Sequence, residues 1–179
     1  MRRFLLQMAG PPGSGKSTLA CAIGGATGAI VLDKDVIKSA ALNAGASEEL
    51  AGPLAYDVLF AIAFSLTELG HSLVLDSPSF FSDIPRKGEE IARRVGAQYF
   101  IVECCCREEI LVQRLGGRRA LPSQWSAIGS VDAYRTMLQM GLSRPGTGPL
   151  LHPHLMVDTS QPLAVCLQEA MEYLESDQS

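Results

Sequence analysis

The chain has 179 residues, enough for one domain with a sizeable core. Apolar residues make up 47% and charged residues 19%, which excludes intrinsic disorder, a state that needs low hydrophobicity and high net charge. The net charge of −4 argues against a general nucleic-acid coat. The richest apolar stretch, Val58 to Phe64, falls well short of the ~20 residues of a membrane span.

Met1-Arg2-Arg3 and the apolar residues after it imitate a secretory signal, but the run stops at Gly10-Pro11-Pro12. Of five cysteines, three are adjacent (Cys104, Cys105, Cys106), and neighbours in a strand cannot pair with one another comfortably. The expectation is a reduced, cytoplasmic protein without a disulfide framework.

In chain order, Phe4 to Ala9 reads as a strand and Lys16 to Gly24 as a helix. Ala29 to Leu32 is a second strand ending on Asp33, followed by a short helix over Val36 to Leu42. A longer helix runs from Ser47 to Leu69 and closes at Gly70. Ser72 to Leu75 is a third strand ending on Asp76. A helix over Ile84 to Val95 then leads to a fourth strand, Tyr99 to Val102. Glu108 to Leu115 is helical, Leu155 to Val157 is the last strand, and Leu163 to Leu174 the last helix.

Continuously apolar strands separated by helices imply a doubly wound α/β architecture, a parallel sheet covered on both faces. Ligands of such sheets sit beyond the carboxyl ends of the strands. The polar residues there are Gly10 onward, Asp33 and Asp35, Asp76 and Ser77, Glu103, and Asp158 with Thr159. One segment stands apart. Between Gly116 and Leu150, Arg118, Arg119, Arg135 and Arg144 face a single acid, Asp132, among six glycines and three prolines. A basic, Gly/Pro-rich island in an acidic chain suits a lid that meets anions.

Gly10-Pro11-Pro12-Gly13-Ser14-Gly15-Lys16-Ser17 matches G-x-x-x-x-G-K-[ST] between a strand and a helix, the context the Walker A motif requires. Its glycines let backbone N–H groups point inward at phosphate oxygens, and the following helix adds its dipole. Lys16 should reach the β- and γ-phosphates, and the Ser17 hydroxyl should bind Mg²⁺. Asn-Lys-x-Asp, the guanine motif of GTPases, does not occur, and Asp76 is followed by Ser77 rather than the Glu of motor ATPases.

Ala9 to Ala20 (AGPPGSGKSTLA), Leu32 to Leu42 (LDKDVIKSAAL), Leu75-Asp76-Ser77-Pro78 and Gln113 to Arg118 together resemble the P-loop kinases with short lids. That group includes predicted ATP-dependent kinases, chloramphenicol phosphotransferase, zeta toxin and polynucleotide kinase. The resemblance covers nearly the whole chain and implies one P-loop domain over 1–179, with a lid at about 116–150. It implies a three-layer sandwich around a five-stranded parallel sheet of nucleoside-monophosphate-kinase type. ATP with Mg²⁺ would be the donor and a small-molecule hydroxyl the acceptor.

Residue by residue, Gly10, Pro12, Gly13, Ser14, Gly15, Lys16, Ser17 and Thr18 would cradle the nucleotide, with Arg114 and Arg118 on its phosphates. Lys34-Asp35-Val36-Ile37-Lys38 matches the basic-Asp-x-x-basic pattern that follows the second strand of polynucleotide kinase. Asp35 would then be the general base and Lys38 an acceptor contact, with Asp33 the competing base. Read bottom-up, Asp35 also suits the N-cap of the helix that follows it. Asp76 would reach Mg²⁺ through water or touch the acceptor. Arg118 and Arg119 could equally serve a helix C-terminus without a ligand.

Tyr56, Phe60 and Phe64 lie at four-residue spacing, which reads first as a buried face. If the helix flanks the cleft, one of them, Tyr56, would stack on the acceptor. His152 and His154 read as loop residues. Two other functions remain open: a kinase for polynucleotide 5′-hydroxyls, and an ATP-dependent switch without a phosphoryl acceptor.

Overall fold

Six consecutive residues, Phe4–Ala9, form the central strand β1, and every one of them is buried. The molecule, a computed structural model, is described here over residues 2–78, 81, 83–117, 121–124, 128–143 and 147–176. After β1 come α1 (Lys16–Thr27), β2 (Ile30–Asp33), α2 (Lys34–Asn43), α3 (Glu48–Glu68), β3 (Leu73–Asp76) and α4 (Asp83–Val95). The chain continues through β4 (Gln98–Cys105), α5 (Glu108–Gly117), α6 (Val131–Leu142), β5 (Leu155–Asp158) and α7 (Leu163–Ser176). All strand pairs are parallel, in the order β2-β3-β1-β4-β5. The chain winds to one side of β1 through β2 and β3, then crosses to the other, so the residues after β1 lie where the winding reverses.

The alternation of side chains along β1 feeds two cores. Phe4, Leu6 and Met8 pack with Leu19 and Ile23 of α1 and Cys166, Ala170 and Leu174 of α7. Leu5 points the other way, to Leu59, Phe60 and Ala63 of α3 and Ile84 and Ile91 of α4. Both layers are needed, because a parallel sheet has no wet face. Trimming a fully buried leucine such as Leu5 or Leu6 to alanine costs about 2–5 kcal/mol.

The helix α3 is long and apolar enough to cross a membrane by length and composition, and a third of that apolar window is buried inside the fold. Its small and aromatic residues sit on the sheet and the neighbouring helices. It ends as the glycine predicted: Gly70 has φ 95°, Gly70 N–H donates to Thr67 O at 3.0 Å and His71 N–H to Leu66 O at 3.1 Å, a Schellman closure. Arg3 donates to the carbonyls of Thr67 and Val95, tying the ends of α3 and α4 together.

Three differences from the sequence reading have physical reasons. The strand β4 runs on to Cys105, because Val102–Cys105 pair with Leu155–Asp158 of β5. The second helix starts at Lys34, and Asp33, not Asp35, is its N-cap. The basic island contains the helix α6, capped by Ser130, whose Tyr134 packs with Leu111 and Leu115 of α5. Within that island Arg135 is committed to Glu108 at 2.6 Å on the surface.

Candidate nucleotide and acceptor site

A cavity of about 1360 Å³ opens at the carboxyl ends of β1, β2 and β3. One end is the phosphate loop. Gly10, Gly13 and Gly15 all have positive φ (119°, 83° and 86°), the backbone an inward-facing nest needs. At Gly10 the constraint is also steric, since a Cβ there would sit 2.2 Å from the Cys104 carbonyl oxygen. Gly15 precedes α1 in the left-handed conformation, so the first turn of that helix points at the cavity.

Lys16 Nζ donates to the carbonyls of Gly10 at 2.9 Å and Pro11 at 2.8 Å, and so lies along the loop. Arg114 reaches the same place from α5. Its guanidinium donates to Thr159 Oγ1 at 3.1 Å and Thr159 O at 2.6 Å. Thr159 in turn donates to Ser14 O at 2.8 Å, so the end of β5 is tied to the loop. Pro12, Gly13, Gly15, Lys16, Ser17, Thr18 and Arg114 line the cavity; Gly10 and Ser14 are buried behind them. Arg118, like its neighbour Arg119, lies outside the described residues.

Asp33 and Asp76 are register partners at the ends of β2 and β3. Asp76 is 5% exposed, and its carboxyl is pushed up to about 6, first by burial. A hydrogen bond with Ser17 opposes that rise, and the Asp33 charge adds to it. Burial likewise raises Asp33, whose carboxylate accepts from the N–H groups of Asp35 at 2.7 Å and Val36 at 3.4 Å. A hydroxyl and a buried carboxylate beside a phosphate nest form the hard-oxygen donor set that suits Mg²⁺.

With Asp33 used as the cap, Asp35 is held from other directions. Lys34 Nζ lies 2.6 Å from one carboxylate oxygen, and Gln124 Nε2 donates to the other at 3.2 Å. Ser123 reinforces this contact: its hydroxyl donates to Asp35 O at 3.0 Å, and Ser39 and Ser123 hydroxyls are 2.9 Å apart. Lys38 is paired with Glu48 at 2.7 Å.

Tyr56 lines the cavity, donates to Pro78 O at 3.0 Å and meets Phe81 edge-on at 6.3 Å. Phe60 is buried in the core and Phe64 packs against it, so the aromatic spacing serves both purposes. His152 and His154 sit beside Glu89 at 3.6 Å and Glu103 at 3.0 Å.

Gln124, Ser123 and Ser39 were not singled out by sequence reasoning, which saw a Gly/Pro-rich lid without the partners of its polar residues. Thr159 was visible as a strand-end residue, but its link to Ser14 and Arg114 was not. Side chains from positions 39, 123 and 124 meet only through the fold, and no local spacing announces them.

A glycine nest after the central strand, where a doubly wound parallel sheet reverses its winding, is the arrangement of the P-loop nucleotide-binding proteins, and this molecule is of that class. Residues 5–128 match a family model described as an AAA domain, and the chain belongs to that family. No curated protein matches the chain.

Among solved structures, a Chloroflexus aurantiacus protein described as a candidate kinase is similar with a TM-score of 0.73 and 21% identity, over 96% of this chain and 98% of that one. The Mycobacterium tuberculosis APS kinase in complex with AMPPNP and APS has a TM-score of 0.70 and 19% identity, over 98% and 99%. A gluconokinase from Sinorhizobium meliloti has a TM-score of 0.61 and 22% identity, over 98% and 99%. The fold is therefore that of small-molecule P-loop kinases.

Proposed function

We propose that the chain is an ATP-dependent kinase that moves the γ-phosphoryl group of ATP to a hydroxyl of a small molecule, with Asp35 as general base. The observation that carries this is the placement of the Asp35 carboxylate and the Lys16 phosphate loop on one cavity. The similarly folded APS kinase and gluconokinase support it.

The loop N–H groups, Lys16 and Arg114 would hold the triphosphate, and Arg118 is proposed to join them from a lid at about 116–150. Ser17 would ligate Mg²⁺, with Asp76 acting through water. The metal would neutralise charge on the β- and γ-oxygens. Lys34 and Gln124 hold Asp35 in one orientation. Asp35 takes the proton of the acceptor hydroxyl as its oxygen bonds to the γ-phosphorus. The bond from that phosphorus to the β–γ bridging oxygen breaks, and ADP leaves. Positioning and fixed charge supply most of the rate in such a transfer.

Tyr56 would pack on the acceptor. Lys38, first expected to touch it directly, is engaged by Glu48 and is better placed to set the wall of the cavity. The test is incubation with γ-phosphate-labelled ATP and a panel of sugars, nucleosides, antibiotics and 5′-hydroxyl oligonucleotides, with the products separated. A labelled small organic phosphate is expected. Labelled free phosphate alone, whatever hydroxyl is offered, would contradict the proposal.

A further inference from the structure

Past the phosphate loop the cavity continues between α2, α3, Pro78, Phe81 and α6. We infer that this half accepts a hydroxyl compound carrying no anionic group, one that is uncharged or bears an amine. The inference rests on the kinase reading and names the class of its acceptor.

Among the described residues, three lysines line this half, and each already has a carboxylate partner. Lys34 lies 2.6 Å from Asp35, Lys38 lies 2.7 Å from Glu48, and Lys87 lies 3.8 Å from Asp57. Two further carboxylates line it, Glu49 and Asp83. Glu49 has no ion-pair partner among the described residues. Asp83 meets Arg86 at 3.4 Å, and Arg86 is not part of the lining. Counted over the described residues, this half therefore carries an excess of negative charge, while Lys16 and Arg114 stand at the other end, beside the loop.

A second observation points the same way. Helix N-termini are the usual backbone sites for anions. Three helices start at this half of the cavity, and the chain's own acids occupy all three starts. Asp33 caps α2 and Asp35 lies in its first turn, Glu48 and Glu49 fill the first turn of α3, and Asp83 opens α4. A phosphate, sulfate or carboxylate on the acceptor would have to draw Lys34 or Lys38, the two shielded lysines, away from a carboxylate at 2.6–2.7 Å, and would meet the unneutralised Glu49 as it did so. A hydroxyl or an ammonium group instead finds acceptors at Glu49 and Asp83. Its carbon skeleton would find Pro53, Pro78 and the Tyr56–Phe81 pair.

The local potential can be measured without knowing the acceptor. The protein saturated with Mg²⁺ and AMPPNP is titrated with 4-amino-TEMPO, a cation, and with 4-carboxy-TEMPO, an anion. The paramagnetic relaxation of the Gly52 and Gly141 amides is read, both residues being in the lining. An excess of one to two charges at about 8 Å, screened at ~0.1 M salt, predicts that the cation relaxes them about two- to fivefold more than the anion. In the Glu49→Gln, Asp83→Asn double variant the ratio falls towards one, and in Asp83→Asn alone it is intermediate.

A ratio of one or below in the unaltered protein overturns the inference. So does preferential phosphorylation of an anionic acceptor over its neutral analogue, a result that leaves the kinase reading standing. A cation-favouring ratio with labelled free phosphate as the sole product from every hydroxyl offered fails the other way, by removing the kinase reading on which the acceptor class depends.

Discussion

The two halves of the cavity are built from different material. The donor half is mostly backbone: a nest of three positive-φ glycines, a helix start, and two cations laid along it. The acceptor half is mostly side chains, brought from α2, α3, the segment after β3 and residues 121–124. Backbone geometry is written in a short stretch of sequence, so the donor half is local and motif-like. The acceptor half depends on elements nearly ninety residues apart, as the Gln124–Asp35 contact shows. A P-loop protein can thus keep one half while changing the other, which is how one fold serves many acceptors.

The sharpest way to separate the halves is to disable each in turn. Lys16→Ala removes a preorganised cation from the donor half and is expected to lower phosphoryl transfer by about 10³-fold. Labelled product formation checks this, with circular dichroism to confirm folding. Asp35→Asn keeps the shape of the acceptor half and removes the proposed base, for an expected loss of about 10²-fold or more in kcat. Normal turnover in that variant would remove Asp35 from the mechanism.

Asp76 lies where the halves meet, and its effect is on stability. Its carboxyl is lifted by burial from 3.8 to about 6, so keeping it charged costs the folded state about 3 kcal/mol above pH 6, and nothing below about pH 4. Asp76→Asn should therefore stabilise the nucleotide-free protein near neutral pH by up to ~3 kcal/mol, and the gain should vanish as the pH falls through 6 towards 4. Urea unfolding at the two pH values measures it. An equal gain at both would mean that burial of the charge is not the cause.

The smallest expected effect is at the Gln124–Asp35 contact. Gln124→Ala leaves Asp35 with Lys34 but frees one carboxylate oxygen, and kcat should fall about tenfold with little change in nucleotide affinity. If Gln124 is a positioning residue, Gln124→Asn should recover little, because the shorter side chain does not span the 3.2 Å contact from the same backbone.

The same division explains what could be read from the residues alone. All five strands were visible as apolar runs; β1 and β3 are buried on both faces and cannot alternate, while β5 at the sheet edge is an apolar run although Met156 is exposed. The phosphate loop was visible because its glycines have to be glycines; Gly10 has no room for a Cβ. The helix α6 was hidden because charge and glycine content drew attention away from Ser130 and from the spacing of Val131, Tyr134 and Leu138, which a search for caps would have found.

The cap of α2 was placed two residues late, because Asp33 and Asp35 are both good caps and only the backbone decides between them. That shift matters to the site. It uses Asp33 in holding the helix and leaves the Asp35 carboxylate to the cavity. The ion pairs that neutralise Lys38 and Lys87 could not be read at all, since their partners come from another helix.

The central claim is that binding the donor and activating the acceptor belong to separate halves. Calorimetric titration of Asp35→Asn with AMPPNP and Mg²⁺, alongside Lys16→Ala, tests it most directly. An affinity within about twofold of the unaltered protein is expected for Asp35→Asn, and a large loss for Lys16→Ala. A loss of tenfold or more in Asp35→Asn would contradict it, because that carboxylate would then belong to the nucleotide site.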